Sequence, residues 1–379
     1  MIPFSKPSFN YKDKKAVIKC LNSGWVTTGK KTFEFENDFK GFVNSKYAIA
    51  VSSCTAALHL ALLAIGVGDG DEVITTPMTF VSTVNVIEMC GATPRFVDVS
   101  EETLLIEHEK LEDVINEKTK AILLVHYAGN PCDLDYVNDI AKKHNIEIIE
   151  DAAHAIGSRY KNRMIGDSDN LVCFSFYPTK NMTTCEGGMI TTNSDKYIEK
   201  LKKMRLHGLS LDAWKRYTNK GNWKYDVDVL GYKYTMPDIF ASIGIIQLKR
   251  VADFNNEREK ISKYYKKKLS RCQAIKMLEC VPGTTSSFFM FVVRVDSNIR
   301  DAIIEKLLEK KIGTSVLFMP VHEFSYYRYK YNIGTDELGN CERIAKEIIC
   351  LPIYPGLKRR KQRYVVKELV KLLDDKGET

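Results

Sequence analysis

The chain has 379 residues, of which 44% are hydrophobic and 27% are charged, with a formal net charge of +8. This composition is sufficient for a buried core in two or three domains, and it excludes collagen-like, disordered and small disulfide-stapled proteins. The apolar stretch 56–65 is too short to span a bilayer, and the opening residues lack the apolar core of a secretory signal. We therefore expect a globular protein without a membrane partner.

The cysteines and the basic residues form no binding motif. Ten cysteines are scattered without a Cys-x-x-Cys pair, which is typical of reduced buried thiols and predicts a cytoplasmic protein. No spacing of His, Cys or acidic residues predicts a metal site. The charged run 249–268 fits a solvated helix face, so we predict no nucleic-acid partner.

From residue 47 onward, short apolar runs alternate with longer amphipathic ones. This alternation predicts an α/β fold, in which a mostly parallel sheet is sandwiched by helices. The predicted strands are Tyr47–Val51, Glu72–Thr76, Arg95–Val99, Ala121–Val125, Ile146–Glu150 and Leu171–Phe176, and the predicted helices are Thr55–Ile65, Phe80–Met89, Glu109–Ile115 and Leu134–His144.

The pattern changes after about residue 205. Residues 208–234 are rich in Gly, Asn, Lys and aromatic residues and have no clear period, and a segment of this length without structure is usually functional. We predict a large domain over residues 1–250 and a smaller C-terminal α+β domain over 251–379. The elements predicted beyond this segment are helices at Asp238–Arg250, Asn255–Leu269, Ile299–Lys310 and Cys341–Ile349 and a strand at Ser287–Val295.

Residues 24–30 match the G-x4-G-K spacing of a phosphate loop. However, Lys31 stands where a Ser or Thr would position magnesium, and the preceding Lys15–Leu21 is predicted as an amphipathic helix instead of a strand. The glycines of 66–70 end a helix where a dinucleotide-binding motif would open one. A nucleotide-binding ATPase is therefore the less favoured alternative.

Three other segments carry groups with a possible chemical use. Residues 52–57 join a strand to a helix whose N–H groups can bind an anion, although such a turn is also a common structural cap. Asp151 ends a buried strand, where it can hold a cation or cap a helix. Lys180 follows an apolar strand, where it can be a Schiff-base nucleophile or an ordinary loop lysine. Together they provide the groups of a pyridoxal phosphate (PLP) site.

The chain resembles the DegT/StrS family of PLP-dependent nucleotide-sugar aminotransferases, which implies the fold-type I architecture with a seven-stranded sheet. The resemblance covers nearly the whole length and keeps the order of the family's motifs. The motifs that carry it are IPFSKP (2–7), SGWVTTGKK (23–31), VSSCTAALHLAL (51–62), TTPMTFVSTVNVI (75–87), VHYAGNPCDLD (125–135), EDAAHAIGS (150–158), FSFYPTKNMTTCEGG (174–188), RLHGLSLDAWKRY (205–217), GYKYTMPDI (231–239), GTSV (313–316) and LPIYPGL (351–357).

The resemblance implies a role for each matching residue around the cofactor ring. Lys180 is implied to form the Schiff base with the cofactor, and Asp151 to pair with the pyridine nitrogen. His154 is implied to lie beside the ring, and Phe80 to pack on its face.

The resemblance also implies a phosphate site and an oligomer. The N–H groups of Thr55 and Ala56 and the hydroxyl of Ser175 are implied to hold the phosphate. The segment 208–235 resembles the loop that reaches a neighbouring subunit's site, which implies a homodimer with shared active sites.

The implied reaction moves the amino group of L-glutamate, through pyridoxamine phosphate, to a nucleotide-linked keto sugar. TTCEGG (183–188) and DAWKRY (212–217) resemble members that aminate carbon 4 of 4-keto-6-deoxy sugars. Amination at carbon 3 and a non-catalytic regulatory relative are the alternatives, and the presence of Lys180 argues against the family's dehydratases. The candidate substrate contacts are Tyr177, Trp214, Tyr217 and His322.

Six positions depart from the family pattern. Two of them replace glycines in turns, two flank a position where relatives often present an asparagine to the partner's phosphate, and two replace histidines that concern sugar recognition. In that order they are Cys54 and Cys185, Lys233 and Thr235, and Phe289 and Leu317.

Overall fold

The computed structural model of the protein describes residues 1–210, 225–331 and 337–374. In these ranges, strands follow one another from residue 47 to residue 351. In chain order they are β1 (Tyr47–Val51), β2 (Glu72–Thr75), β3 (Thr93–Phe96), β4 (Thr119–Val125), β5 (Glu147–Asp151), β6 (Arg159–Tyr160), β7 (Arg163–Met164), β8 (Leu171–Ser175), β9 (Gly188–Thr192), β10 (Lys276–Met277), β11 (Thr284–Thr285), β12 (Phe291–Arg294) and β13 (Ile348–Leu351).

Helices precede, connect and follow these strands. The amphipathic helix at the start of the chain begins at an Asn10 capping box, in which the Asn10 side chain and that of Asp13 satisfy backbone N–H groups. The α-helices are α1 (Tyr11–Asn22), α2 (Lys30–Val43), α3 (Cys54–Ile65), α4 (Val81–Met89), α5 (Leu111–Val114), α6 (Leu134–His144), α7 (Ile198–Met204), α8 (Asp238–Leu248), α9 (Val251–Leu269), α10 (Ser297–Glu309), α11 (Ser325–Tyr331), α12 (Gly339–Ala345) and α13 (Arg359–Asp374).

The largest sheet has seven strands in the order β1-β9-β8-β5-β4-β2-β3. Strands β3, β2, β4, β5 and β8 are mutually parallel, and β9 lies antiparallel between β8 and β1. Since β9 is antiparallel to both neighbours, β1 runs in the same direction as β8. The carboxyl ends of β1, β2, β4, β5 and β8 therefore meet at one edge of the sheet.

Helices bury both faces of this sheet. Successive residues of β5 belong to different cores: Ile148 packs in the cluster that contains α2, α6 and α8, and Ile149 packs in the cluster that contains α3 and α7. A strand buried on both faces has no polar side to alternate with, which explains its continuous apolar sequence.

The predicted alternation of strands and helices over residues 47–176 is confirmed, with boundaries that differ by a few residues. The predicted helix Cys341–Ile349 is wrong in its second half, because α12 ends at Ala345 and β13 follows. Residues 348–351 are a short apolar run, which periodicity cannot assign to a helix or a strand. Pairing with β12 decides the outcome.

The second half of the chain forms a smaller sheet, β10-β12-β13, with its own apolar cluster. The first residues of the chain pack on this part: the N–H of Ile2 donates to the carbonyl of Lys311, and the N–H of Gly313 donates to the carbonyl of Ile2. The start of the chain therefore contacts both the large sheet region and the C-terminal region, and the boundary near residue 250 stays a prediction.

The loop over residues 24–30 does not present a free phosphate-binding end. The carboxylate of Asp238 accepts hydrogen bonds from the N–H groups of Gly29, Lys31 and Thr32, at 2.8, 3.0 and 2.8 Å, and from the Thr32 hydroxyl at 2.8 Å. The N-terminus of α2 thus already holds an anion that the protein itself supplies, which disfavours the ATPase alternative.

Candidate active site

A cavity of about 500 Å³ lies at the edge of the sheet where the parallel strands end. Its lining comes from the loop after β1, the loop after β2, the ends of β5 and β8, and two segments of the C-terminal part. The predicted residues Thr55, Phe80, Asp151, His154, Ser175, Tyr177 and Lys180 all line it.

Asp151 is the buried acid of this cavity. Its Oδ1 accepts the N–H of Ala153 at 3.0 Å, and its Oδ2 accepts the hydroxyl of Thr83 at 2.9 Å. Burial raises the pKa of Asp151, while these two hydrogen bonds and the positive charge of Lys180 act in the opposite direction. A carboxylate held in this way is suited to pair with a cationic ring nitrogen.

Lys180 is the amine of this cavity, and its side chain is partly buried. Its Nζ lies 4.7 Å from the centroid of the Phe289 ring. Burial lowers the pKa of Lys180 to about 8, and the charge of Asp151 partly opposes this effect. Near physiological pH a larger fraction of this side chain is therefore a neutral amine than in a free lysine, and the neutral amine is the form that attacks a carbonyl carbon.

His154 packs against the aromatic wall of the cavity. Its ring is nearly parallel to those of Phe289 and Phe318, with centroid distances of 4.3 and 5.7 Å. Burial, and then the nearby Lys180, lower the pKa of His154 well below its usual value, so the ring is neutral. Its Nδ1 is buried and has no hydrogen-bond partner in the described part of the chain.

The N-terminus of α3 forms the polar end of the cavity. Ser53 caps the helix, and its Oγ accepts the N–H of Ala56 at 3.0 Å. The N–H of Ala56 is therefore engaged within the helix cap, and it can bind a phosphate only if the Ser53 side chain rotates. Thr55, in contrast, lines the cavity directly, and so does Ser175.

Glycines allow the close approach of β9 to this helix end. A Cβ on Gly188 would lie 2.5 Å from the carbonyl of Ser53, so only glycine fits there. Of the two cysteines that replace family glycines, Cys185 has a left-handed backbone with φ of +74°, whereas Cys54 does not have a positive φ. The strain that the substitution predicts is therefore present at Cys185 alone.

Two groups of predicted substrate contacts have different outcomes. Tyr177 lines the cavity and is half exposed. His322 does not line it: its ring is buried beside Phe96, and its Nε2 lies 3.0 Å from Glu342 Oε1. The proposed place of His322 in the pocket is therefore wrong. Trp214 and Tyr217 lie outside the described residues.

Several residues of the site escaped the sequence analysis. Thr79 lines the cavity, and its hydroxyl lies 2.8 Å from that of Thr83, which in turn contacts Asp151. Phe318 and Glu186 also line the cavity. The sequence signal for the two threonines is their spacing of four around the start of α4, which places both hydroxyls on one side of that turn.

Comparison with known proteins gives the family. The model of the DegT/DnrJ/EryC1/StrS aminotransferase family matches residues 7–370. The spore coat polysaccharide biosynthesis protein SpsC of Bacillus subtilis is 40% identical over 361 residues, which cover 94% of this chain and 93% of SpsC. The chain belongs to the DegT/DnrJ/EryC1/StrS aminotransferase family.

Solved structures agree with the fold. The PMP-form structure of Spr1654 from Streptococcus pneumoniae, assigned as a sugar aminotransferase, has a TM-score of 0.93 and 31% identity, covering 99% of this chain and 100% of that one. Helicobacter pylori PseC, an aminotransferase involved in the biosynthesis of pseudoaminic acid, has a TM-score of 0.91 and 29% identity, covering 99% of each chain. The fold is that of the fold-type I aminotransferases, and the protein is a PLP-dependent sugar aminotransferase.

The residues present fit the cofactor of this family. The cavity combines a buried acid, a partly buried amine and a helix N-terminus, and the buried Nδ1 of His154 has no hydrogen-bond partner among the described residues. In the ranges 1–210, 225–331 and 337–374, no cluster of three or more His, Cys, Asp or Glu side chains could hold a metal ion. No helix in the same ranges is long and apolar enough to cross a membrane.

Proposed function

We propose that the protein transfers the amino group of L-glutamate to carbon 4 of a nucleotide-linked 4-keto-6-deoxy sugar, which gives a 4-amino-4,6-dideoxy sugar nucleotide. The observation that carries the proposal is that the partly buried Lys180 and the buried Asp151 line one cavity at the carboxyl edge of the sheet. The alternatives are amination at carbon 3 and a non-catalytic regulatory role.

In this proposal, Lys180 and Asp151 are the catalytic residues. Bound PLP supplies an aldehyde carbon and a ring that accepts electrons. With PLP bound, the Asp151 carboxylate would hold a proton on the ring nitrogen, and the Lys180 amine would be the group that holds the aldehyde carbon. As a free amine, Lys180 would serve as the general base for the α-carbon proton of glutamate and, once protonated, as the general acid that gives this proton up again.

The other cofactor contacts follow from their places in the cavity. Thr55 and Ser175, at the positive end of α3, are suited to hold the phosphate, and Ala56 joins them if its cap opens. His154 presents to the cavity a neutral ring whose Nδ1 has no hydrogen-bond partner in the described ranges of the chain. Phe80 is exposed at the mouth, where it can cover one face of the ring.

The apolar wall of the cavity supports a 6-deoxy sugar. Phe289, Leu317 and Phe318 line it together. A methyl group at carbon 5 of the sugar removes a hydroxyl that such a wall would leave without a partner. The preference for carbon 4 rests on TTCEGG (183–188) and on DAWKRY (212–217), and the second of these lies outside the described residues.

The relatives support a role in surface glycans. SpsC acts in spore coat polysaccharide biosynthesis, and PseC in pseudoaminic acid biosynthesis. We propose the same broad use for the product here: surface polysaccharide, glycan or antibiotic synthesis. We also propose a homodimer with shared sites, because the described end of the segment 208–235 exposes apolar side chains such as Leu230. The cytoplasmic location stays a prediction.

Visible absorbance of the PLP-loaded protein tests the function. We expect a band of the Schiff-base-bound cofactor that L-glutamate removes and that a nucleotide 4-keto-6-deoxy sugar restores. NMR of the product identifies the aminated carbon. In Lys180→Ala we expect no such band and at least a thousandfold loss of transfer, because both the covalent bond and the proton transfer are lost.

The exposed Lys142 provides the matched control. Lys142→Ala should keep the spectrum and the rate of the unaltered protein. Full transfer by Lys180→Ala would contradict the mechanism. Restoration of the band by a 3-keto sugar alone would favour carbon 3, and absence of the band in the unaltered protein would favour the regulatory alternative.

A further inference from the structure

Two threonines connect the cavity to the buried acid. Thr83 Oγ1 lies 2.9 Å from Asp151 Oδ2, and Thr79 Oγ1 lies 2.8 Å from Thr83 Oγ1. Thr79 is 2% exposed and Thr83 is fully buried, so both contacts lie away from bulk solvent. Thr79 lies in the loop after β2, and Thr83 lies in the first turn of α4.

The direction of this pair of hydrogen bonds is fixed by counting protons. An ionised carboxylate only accepts hydrogen bonds, so Thr83 donates its single hydroxyl proton to Asp151. The oxygen of Thr83 is then the acceptor for Thr79, which donates its own proton. Thr79, which lines the cavity, is left with its oxygen as an acceptor on the cavity side.

The other groups around Asp151 do not duplicate the hydrogen bond from Thr83. The N–H of Ala153 occupies Oδ1, and the thiol of Cys54 lies 3.9 Å from the same oxygen. Lys180, His126 and Cys173 are the remaining titratable groups that face the carboxylate. Among the described side chains, only the Thr83 hydroxyl donates to Oδ2 at ordinary hydrogen-bond distance.

We propose that Thr83, supported by Thr79, is a positioning residue that keeps Asp151 ionised and oriented toward the cofactor's ring nitrogen. The inference rests on the proposed role of Asp151. It goes beyond that role because it assigns a task to two further residues, Thr83 and Thr79, which act on the cofactor only through Asp151. Without the hydroxyl, burial raises the proton affinity of the carboxylate, and the ring nitrogen loses its proton to it.

The test is the ¹⁵N chemical shift of the ring nitrogen in the holoenzyme loaded with ¹⁵N-PLP. This shift reports protonation directly, and a merely structural role would not change it. We expect a protonated nitrogen in the unaltered protein and in Thr83→Ser, and a shift toward the unprotonated value in Thr83→Val. Stopped-flow absorbance should show the glutamate half-reaction of Thr83→Val slowed about ten- to a hundredfold, the range of one charge-assisted hydrogen bond.

Thr79 provides a second and milder variant. Thr79→Val removes only the support of Thr83, so we expect a smaller change of the same sign, about two- to tenfold in rate. The double variant should match Thr83→Val alone, because Thr79 acts through Thr83. Thr191→Val is the matched control, since Thr191 is also buried but donates to the carbonyl of Gly166, and it should change neither readout.

The outcomes separate the inference from the proposed function. A protonated ring nitrogen in both the unaltered protein and Thr83→Val overturns the inference and leaves the function intact. An unprotonated nitrogen in the unaltered protein contradicts the role of Asp151 itself. If Thr83→Val does not fold, the shift and rate in Thr79→Val decide, and an unchanged shift there overturns the inference.

Discussion

At the residue scale, the two cysteines that replace family glycines have opposite consequences. Cys185 adopts a φ of +74°, which costs a residue with a Cβ roughly 1–2 kcal/mol, whereas Cys54 begins helix α3 without a positive φ. We expect Cys185→Gly to raise the free energy of unfolding of the apoprotein by about 0.5–1 kcal/mol, after the greater flexibility of an unfolded glycine offsets part of the gain. Urea unfolding at 25 °C measures the change.

Cys54→Gly is the matched comparison, because it also restores a family glycine. Here we expect a loss of about 0.5–1 kcal/mol, since glycine at a helical position only adds unfolded-state entropy. Changes of the same sign in both variants would contradict the assignment of strain to Cys185.

The sequence was informative about residues that end strands and uninformative about contacts between loops. Asp151, Ser175 and Lys180 follow apolar strands, and parallel strands bring such positions to one edge. The contact of Thr83 with Asp151 joins positions 68 residues apart, and no local period encodes it. His322 shows the converse: its place shortly after Pro320 suggested the pocket, but its ring contacts Glu342 away from the cavity.

At the element scale, Asp238 connects the first turn of α8 to the start of α2. Its carboxylate accepts four hydrogen bonds from Gly29, Lys31 and Thr32, which lie about two hundred positions earlier. Asp238→Ala leaves these buried donors without an acceptor, and we expect the free energy of unfolding to fall by about 2–4 kcal/mol. The midpoint of urea unfolding at constant slope measures the loss.

Asp253, in the first turn of α9, is exposed and serves as the control. Asp253→Ala should change stability by about 0.5 kcal/mol or less, because a surface acid near a helix N-terminus contributes little. An equal loss in the two variants would show that the helix end is not what Asp238 stabilises.

Secondary structure was predictable from the sequence where a segment with clear periodicity was long. It was not predictable where pairing with a distant strand decides the conformation. Strands β1, β2, β3, β4, β5 and β8 were predictable because each is a short apolar run in a regular alternation with longer segments, whereas the two-residue strands β6 and β7 leave no such pattern. Strand β9 was missed, since it begins at Gly188 and its place between β1 and β8 depends on partners on either side. The same dependence on a partner explains β13, whose first two residues the sequence pattern predicts as the end of a helix.

At the scale of the whole molecule, the alternation of short apolar runs with longer amphipathic segments predicted the α/β class but not how distant parts of the chain join. The bridge between Ile2 and Ile312 brings the start of the chain onto the C-terminal part, and Phe4 from the same segment lines the cavity. A division into domains by residue number alone therefore leaves out a contact that the site uses. The site is assembled from both ends of the chain.

The proposed dimer gives the prediction for the whole molecule. Leu230 is 77% exposed and Val227 is 54% exposed, and both lie in the described end of the segment that we propose reaches a partner. Exposed apolar side chains grouped in this way are typical of an interface that a second copy covers. We expect sedimentation equilibrium to show a dimer, and Leu230→Asp to weaken the dimer at least tenfold, because a charge would be buried without a partner.

Leu308 on α10 is the matched control, since it is also a leucine with a mostly exposed side chain, at 56%, but lies in the C-terminal part. Leu308→Asp should leave the dimer intact, and circular dichroism should show that both variants fold. A monomeric unaltered protein would contradict the shared site, and a dimer broken by Leu308→Asp but not by Leu230→Asp would place the interface on the C-terminal part instead. If the dimer holds as proposed, the Leu230→Asp variant should also bind PLP more weakly, because the partner's contribution to the cavity is lost with the interface.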